Sequence, residues 1–427
     1  MTDRRPHVVI VVVNLPAERD RRVIRECQGL ESAGYRATVI SPRGPHRPRR
    51  LPGTAATEIR SFPQPFAGTG VLSFALEFSW ALLAVTGHLL VLLMRGRVSA
   101  VQACNPPDIF WPIALLVRAL GRPFVFDHHD LSPELYDAKA GQPNPGVLRL
   151  LRLFERLSWH CASTVVVTNE SFRDVAIARG GCPPDKIVVV RNGPALTEVG
   201  PPPPATTPAP RAAAEPACPL GPGGRHRIVY VGVINEQDRV DVAVRAAERL
   251  ARLRGTEDWE LVIAGDGESL PELRRLAAEL GIAELVRFTG WLELVEVDEV
   301  LRSASVAIQP DQPSPMADLY TMAKTVEYVA RGIPVVAADL RETRRTAGDA
   351  ARYLPHGTPE EFAQAIDQLL DDPATRAAMG AVGRLRFAEE LAWEHQVKAY
   401  LRVWDRLLRP AADRSGTPTA PGDRLPA

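Results

Sequence analysis

Short β-branched runs alternate with helix-length segments along nearly the whole chain, and this alternation limits the possible folds more than any other feature. His7–Val13 is continuous and apolar, as a strand buried on both faces requires. A polar helix from Asp20 to Ala33 follows, closed by Gly34, and Arg36–Ile40 reads as the next strand. Ala100–Ala103, Pro123–Phe126, Thr164–Val167 and Ile187–Val190 continue the series, with helical segments at Pro107–Leu120, Val147–His160 and Ser171–Arg179. Strands joined by helices of this length form parallel βαβ units. The pattern stops at Gly200–Gly224, a stretch of proline and alanine that reads as an extended solvated linker. It resumes at Ile228–Val233 and runs through Glu260–Ala264, Val286–Thr289, Val306–Gln309 and Pro334–Ala338. After Leu408 the chain is again proline-rich and polar, as in a disordered tail. The predicted fold class is α/β: two Rossmann-like domains with an interdomain cleft. The first domain covers 1–196, a linker 197–226, the second domain 227–390, a C-terminal helix able to return to the first domain 391–409, and a disordered tail 410–427.

Charge excludes one class of function. Lysine and arginine total 51, as do aspartate and glutamate, so the chain has no basic excess with which to neutralise a nucleic-acid backbone. The five cysteines are scattered, without a C-x-x-C pair, which argues against a disulfide framework or structural zinc and for a reducing, cytoplasmic setting. The charged start Met1–His7 lacks a signal-peptide pattern. One segment stands apart: Phe78–Met94 carries no formal charge and ends at Arg95 and Arg97. At the short limit for crossing a bilayer, it reads first as a buried or groove-lining helix, with a surface helix touching the membrane and a spanning helix as alternatives. Peripheral contact with the inner face of the plasma membrane is the localisation that the second reading implies.

Ligands of open α/β sheets bind beyond the carboxyl ends of the strands, so chemistry is sought in the loops there. The proline-rich loop from Pro313 leads into a helix, with Thr321 as a candidate cap and Met322 beside it. Free amides at a helix start form an anion site. Lys324 lies one turn in, and Glu327, at i+3, suits a ribose diol. The competing reading makes Lys324 and Glu327 a solvated surface pair. Gly265-Asp266-Gly267 follows a strand and permits close backbone approach to a ligand, or else is a tight turn. A dinucleotide fingerprint fails at Leu270. In the first half, Asp127-His128-His129-Asp130 ends a strand. Adjacent side chains diverge, which disfavours a metal, whereas a single histidine there can donate a hydrogen bond to a reacting group or be satisfied within the loop. Asp20 is an N-cap candidate, and Arg21 or Arg22 could face a phosphate. Asn169 and Asn192 also follow strands, where turn chemistry explains them equally well.

Glu327-Tyr328-Val329-Ala330-Arg331-Gly332-Ile333-Pro334-Val335-Val336 resembles the "E-A/Y-M-A-x-G-x-P-V-V" signature of family 4 glycosyltransferases with the GT-B fold, and Lys324 resembles a bacterial branch with an S/T-x-x-K-x-x-E-Y-M-A-type motif. Asp20-Arg21-Arg22-Val23, Cys104-Asn105-Pro106-Pro107-Asp108, Phe126–Glu134, Thr168–Ser171, Val190–Pro194, Val231-Gly232-Val233, Ala264–Gly267 and Phe288-Thr289-Gly290 agree and lie in the right order. The resemblance implies a retaining, metal-independent transferase. It would move a sugar from a nucleotide-diphosphate donor to a sugar- or lipid-linked acceptor, with no cofactor and no nucleic-acid partner. It places His129 at the reacting sugar, with His128 as the alternative. It assigns Glu327, Lys324, Thr321, Met322, Asp318, Arg239, Gly232, Gly265, Asp266, Gly267 and Gly290 to the donor, and Asp20, Arg21, Arg22, Asn105, Asn169 and Asn192 to the acceptor side. Two departures matter. Leu319 stands where the family has a sugar-reading glutamate, and Val233 and Asp238 stand where it has an arginine and a lysine. Asp318 and Arg239 are the nearest substitutes, and a non-catalytic nucleotide-sugar-binding protein of the same fold is the competing reading.

Overall fold

The computed structural model describes residues 5–66, 70–140, 142–199 and 224–409. The chain divides into two units: 1–190 with 397–427, and 191–396. Most of the proposed linker and the whole proposed tail lie outside the described residues. The linker's ends do not: 197–199 belong to a short helix and His226 already starts a strand.

The first unit contains β1 (His7–Val11), α1 (Arg21–Ser32), β2 (Arg36–Pro42), β3 (Glu58–Phe62), α2 (Val71–Met94), β4 (Ala100–Cys104) and α3 (Trp111–Ala119). It continues with β5 (Phe124–His128), α4 (Ser132–Lys139), α5 (Pro145–Cys161), β6 (Thr164–Val167), α6 (Glu170–Ala178) and β7 (Ile187–Val189). The strands form one sheet in the order β3-β2-β1-β4-β5-β6-β7, parallel throughout. Strands β1, β4, β5 and β6 are buried along their whole length, which explains their continuous apolar runs. Strand order reverses between β1 and β4, creating a topological switch point there.

The second unit opens with α7 (Leu196–Val199) and builds its sheet from β8 (His226–Val231), β9 (Trp259–Ala264), β10 (Val286–Gly290), β11 (Val306–Gln309), β12 (Val335–Ala338) and β13 (Ala351–Leu354). The order β10-β9-β8-β11-β12-β13 places its switch point between β8 and β11. Helices α8 (Val240–Arg254), α9 (Leu270–Glu279), α10 (Leu294–Arg302), α11 (Ala323–Arg331) and α12 (Arg341–Ala347) join the strands. Helices α13 (Pro359–Asp371) and α14 (Pro373–Arg386) follow, and α8, α9 and α13 share one core cluster while α10 and α11 pack into the other. The last helix, α15 (Trp393–Leu408), crosses the division between Gln396 and Val397. In the first unit it lies so close to α1 that a Cβ on Gly29 would stand 2.5 Å from Val397.

The apolar segment corrects the leading expectation. Helix α2 is mostly unburied and is long and apolar enough to cross a membrane, but Ala81, Val85, Leu89 and Leu92 form a buried stripe, one residue per turn. The opposite face exposes Leu72, Leu76, Leu83, Leu90 and Met94, with Leu83 at 68% and Met94 at 78%, and Phe74 is exposed near the helix start. The helix from Pro107 starts later than expected, at Trp111, because two consecutive prolines offer no amide donors.

His7 begins β1 with its Nε2 2.9 Å from Thr38 Oγ1. Burial first, then the Arg36 charge, pushes its imidazole from 6.5 down to about 4. The unfolded chain therefore binds this proton first, and the first unit loses stability as pH falls from 6.5 toward 4. The slope from this one group approaches about 1.4 kcal/mol per pH unit. Urea unfolding of wild type and His7→Gln at pH 7 and pH 5 should show that the wild type loses more stability between the two pH values.

Candidate functional site

Each unit gathers its polar groups where its sheet reverses order. In the first, the cluster sits beyond β4 and β5. Asp20 caps α1, accepting from the amides of Arg22 and Val23 at 3.0 Å each, so the capping reading of Asp20 holds. This cap aims the second helical residue inward. Arg22 is buried and forks onto Asp127: Nη2 donates to Oδ1 at 2.9 Å and Nε to Oδ2 at 3.2 Å. Its Nη1 donates to the Val190 carbonyl at 2.8 Å, so Arg22 is a structural anchor and not a free phosphate ligand. Arg21 lies exposed on the helix surface.

The two histidines part company, as alternation along a strand requires. His128 is buried among Phe126, Trp159 and Phe172, 3.6 Å from Glu155, and belongs to the core. His129 is 13% exposed and its Nε2 stands 2.8 Å from Asp127 Oδ2. Asn105, assigned to the acceptor side, instead organises this loop. Its Oδ1 accepts from the amides of His129 at 2.5 Å and Asp130 at 3.2 Å, and its Nδ2 donates to Asp108 and to the Asp130 carbonyl. Asn169 is buried as the N-cap of α6, and Asn192 is exposed.

Sequence reasoning missed the groups around Asp127. Gln102 donates to Asp127 Oδ2 at 3.0 Å and to Glu26 Oε2 at 2.7 Å, and Tyr400 of α15 donates to Gln102 Oε1 at 2.7 Å. Burial opposes ionisation of Asp127, but the Arg22 charge and the adjacent His129 ring outweigh it and hold the carboxyl below its ordinary range. Burial and the Asp127 charge push the Glu26 carboxyl well above its ordinary range. One metal-like grouping lies here: ligand atoms of Cys104, Asp127 and His129 fall within 4.8 Å of one another. The set does not suit a cation, because Arg22 already occupies both Asp127 oxygens and burial pushes the Cys104 thiol far up, away from the thiolate a metal needs.

In the second unit the cluster sits between β8 and β11. Lys324 enters from the first turn of α11, with a side chain 8% exposed. Its ammonium lies 3.0 Å from Asp311, 3.7 Å from Asp238 and 4.8 Å from the centre of the Tyr230 ring. Burial would lower its pKa, but Asp311 and then Asp238 raise it, so it stays charged. The Asp238 that replaces the family's lysine thus faces a lysine supplied from another element. Neither expectation for Lys324 describes this arrangement: it is not the solvated partner of Glu327, and its charge is already met by two carboxylates. Glu327 pairs with Arg331 at 2.6 Å, and Arg331 also holds Asp298 at 2.9 Å.

The other donor-side assignments divide. Thr321 does not cap α11; it donates to the buried Glu342 at 3.3 Å, and Met322 takes the N-cap position without a side-chain hydrogen bond. The helix start is therefore left without a side-chain acceptor. Asp318 accepts from the Arg341 amide at 2.7 Å and pairs with its guanidinium, so it is committed to the start of α12. Arg239 pairs with Asp241 at 3.0 Å. The glycines read as room for a ligand first make room for backbone. A Cβ on Gly265 would collide with the Gly232 carbonyl, and one on Gly267 with that of Ile234. The amide of Gly232 donates to Ala264 and that of Gly265 to Gly290, at 3.0 Å each, which sews the three loops beyond β8, β9 and β10 together. Asp266 stays exposed and its Oδ1 accepts from the Gly267 amide.

Sequence and structure comparison give one consistent picture. Residues 20–193 match the family model described as "Glycosyl transferase 4-like domain", and residues 225–372 match "Glycosyl transferases group 1". The chain is 30% identical over 192 residues to a D-inositol 3-phosphate glycosyltransferase of Thermomonospora curvata, covering 43% of each chain. It is 28% identical over 302 residues to an alpha-maltose-1-phosphate synthase of Mycolicibacterium smegmatis, covering 67% of this chain and 74% of that one. The matched stretch thus spans less than half the length of the inositol-phosphate relative. Sucrose-phosphate synthase from Thermosynechococcus elongatus shares the fold, with a TM-score of 0.72 at 15% identity over 94% of this chain and 99% of that one.

Gly265→Ala should destabilise the second unit by more than about 3 kcal/mol, since the new Cβ overpacks against a backbone carbonyl that cannot rotate away. Thermal unfolding followed by circular dichroism checks this, with Gly281→Ala, whose Cβ would enter open space, as the milder comparison.

Proposed function

We propose, from the premise that this chain belongs to the GT-B glycosyltransferases, that it is a retaining transferase moving a sugar from a nucleotide-diphosphate donor to a cell-envelope, lipid-linked or natural-product acceptor. The observation that carries this reading is that both halves match transferase domain models in the family's order, on two sheets whose polar clusters lie at their switch points. In the reaction the bond between the sugar and the diphosphate breaks, one to an acceptor oxygen forms, and the acceptor hydroxyl's proton passes to the leaving diphosphate. Charge collects on the leaving diphosphate, and the start of α11, which lacks a side-chain cap, supplies amides and a helix dipole to stabilise it without a metal. Glu327 takes the ribose hydroxyls, exchanging part of its pairing with Arg331. Lys324 contributes charge only to the extent that Asp311 and Asp238 release it. His129 serves the sugar being transferred.

Mass spectrometry after incubation with a panel of sugar nucleotides and a cell-envelope lipid extract tests the reading. The expected result is a glycosylated product. Nucleotide release with no such product would exclude transfer. Calorimetric titration with UDP and GDP should show binding that Glu327→Ala weakens about tenfold or more, as loss of a hydrogen bond to a charged group implies. Unchanged affinity would remove Glu327 from the donor site. Binding without product favours the non-catalytic reading, which Leu319 and the carboxylates around Lys324 motivate.

A membrane-bound acceptor is supported by one face of the first unit. The crossovers β3–β4, β4–β5 and β5–β6 run the same way across the sheet, so right-handed connection puts α2, α3 and α5 on one side. Besides the apolar face of α2, this side exposes Leu115, Leu116 and Leu120 at α3, and Leu150 and Leu153 on α5. The exposed charges along α3 and α5 are arginines: Arg118, Arg149, Arg152 and Arg156. Leucine interleaved with arginine suits an anionic lipid surface. The purified chain should float with vesicles containing anionic lipid and sediment with neutral ones. Sedimentation with both would refute peripheral contact.

A further inference from the structure

His129 is held from two directions, by Asn105 and by Asp127, and the transferase resemblance gives Asp127 no role. Its backbone amide is fixed by Asn105 Oδ1 at 2.5 Å, which sets where the loop leaves β5. Its Nε2 stands 2.8 Å from Oδ2 of the fully buried Asp127, an ion-pair contact whose angle falls short of a hydrogen bond and which a small turn of the ring would complete, leaving Nδ1 to serve a substrate. A histidine ring so anchored has one tautomer selected by its partner.

The partner is itself held still. Arg22 takes both oxygens of Asp127 in a fork. Gln102 approaches Oδ2 at 3.0 Å from the neighbouring strand β4. The Asp127 carboxylate, which can only accept, orients the Gln102 amide with its NH2 toward Asp127 and Glu26, and the Tyr400 hydroxyl then donates to its oxygen at 2.7 Å. Glu26 also meets Arg22, its Oε1 3.0 Å from Nε, while burial and the Asp127 charge raise its carboxyl above the ordinary range. These groups come from α1, β4, β5 and α15, and all belong to the first unit.

We propose that Asp127 is a positioning residue of the reaction, clamped by Arg22, Gln102 and Tyr400 so that it fixes the His129 ring with Nδ1 presented to the substrate. The proposal rests on the transferase reading for its consequence in turnover, but its geometric content stands apart from that reading. A fixed imidazole is worth having because a reacting group must meet its hydrogen-bond partner without reorganisation. Loss of the partner leaves binding intact and slows the chemical step.

The experiment uses the full chain with 15N-labelled histidine, the His129 signal being assigned by His129→Gln. Wild type should show the Nε2–H tautomer, and Asp127→Asn should lose that preference. With whichever sugar nucleotide is turned over, Asp127→Asn should lower kcat about 100-fold or more while KM changes less than about threefold, as loss of the carboxylate that orients a histidine implies. An unchanged tautomer, or a kcat within threefold of wild type, overturns the proposal. Should Asp127→Asn fail to fold, Tyr400→Phe decides: a kcat lowered about fivefold at constant KM supports the clamp, and a kcat equal to wild type overturns it. If wild type turns over no sugar nucleotide of the panel in the presence of a lipid acceptor extract, the transferase reading fails, and the tautomer alone still decides whether Asp127 sets the ring.

Discussion

The first unit depends on the buried pair of Arg22 and Asp127. An arginine and an aspartate withdrawn from water are costly unless every lone pair and proton finds a partner. Here the guanidinium reaches Asp127, Glu26 and a main-chain carbonyl, while the carboxylate receives Arg22, Gln102 and the His129 ring. Such a pair adds little net stability compared with an apolar core, but it tolerates few geometries. It therefore ties the start of α1 to the end of β5 in a defined register, and the loop bearing His129 inherits that definition.

The second unit solves a related problem with a different residue. Lys324 lies under α11 between Asp311 and Asp238, with the Tyr230 ring against its ammonium. One cation facing two carboxylates leaves the pocket short of positive charge. Burial pushes Asp238 upward even with Lys324 close by, which lessens that imbalance. Arrival of an anion at the start of α11 competes with the aspartates for the same ammonium. The charge arrangement at this switch point thus differs from that around Asp127 in the first unit, where the Arg22 guanidinium forks onto the carboxylate.

The parallel sheets were legible because their central strands are buried on both faces and must be apolar throughout. The edge strands β3 and β13 were not: Glu58–Phe62 and Ala351–Leu354 are half-exposed and carry too little apolar pattern to stand out. The capping role of Asp20 and the divergence of His128 from His129 followed from local rules. The partners of Lys324, Glu327 and Arg22 did not, since spacing along a helix says nothing about which loop lies opposite. Asp127 and Gln102 carried a readable signal, polar side chains inside the runs Phe124–His128 and Ala100–Cys104, but Tyr400 lies 298 residues from Gln102 and could be connected to it only through the fold.

Helix α15 supplies Tyr400 and Trp404 to the interior of a unit whose other elements end near residue 190. A nascent polypeptide emerging from the ribosome completes its first sheet long before those two side chains exist. Until the final helix has been synthesised, Gln102 lacks its phenolic donor and the α1 face stays uncovered. Co-translational folding of this half consequently waits for α15 to emerge, and an expression fragment cut after the first sheet would expose an apolar seam.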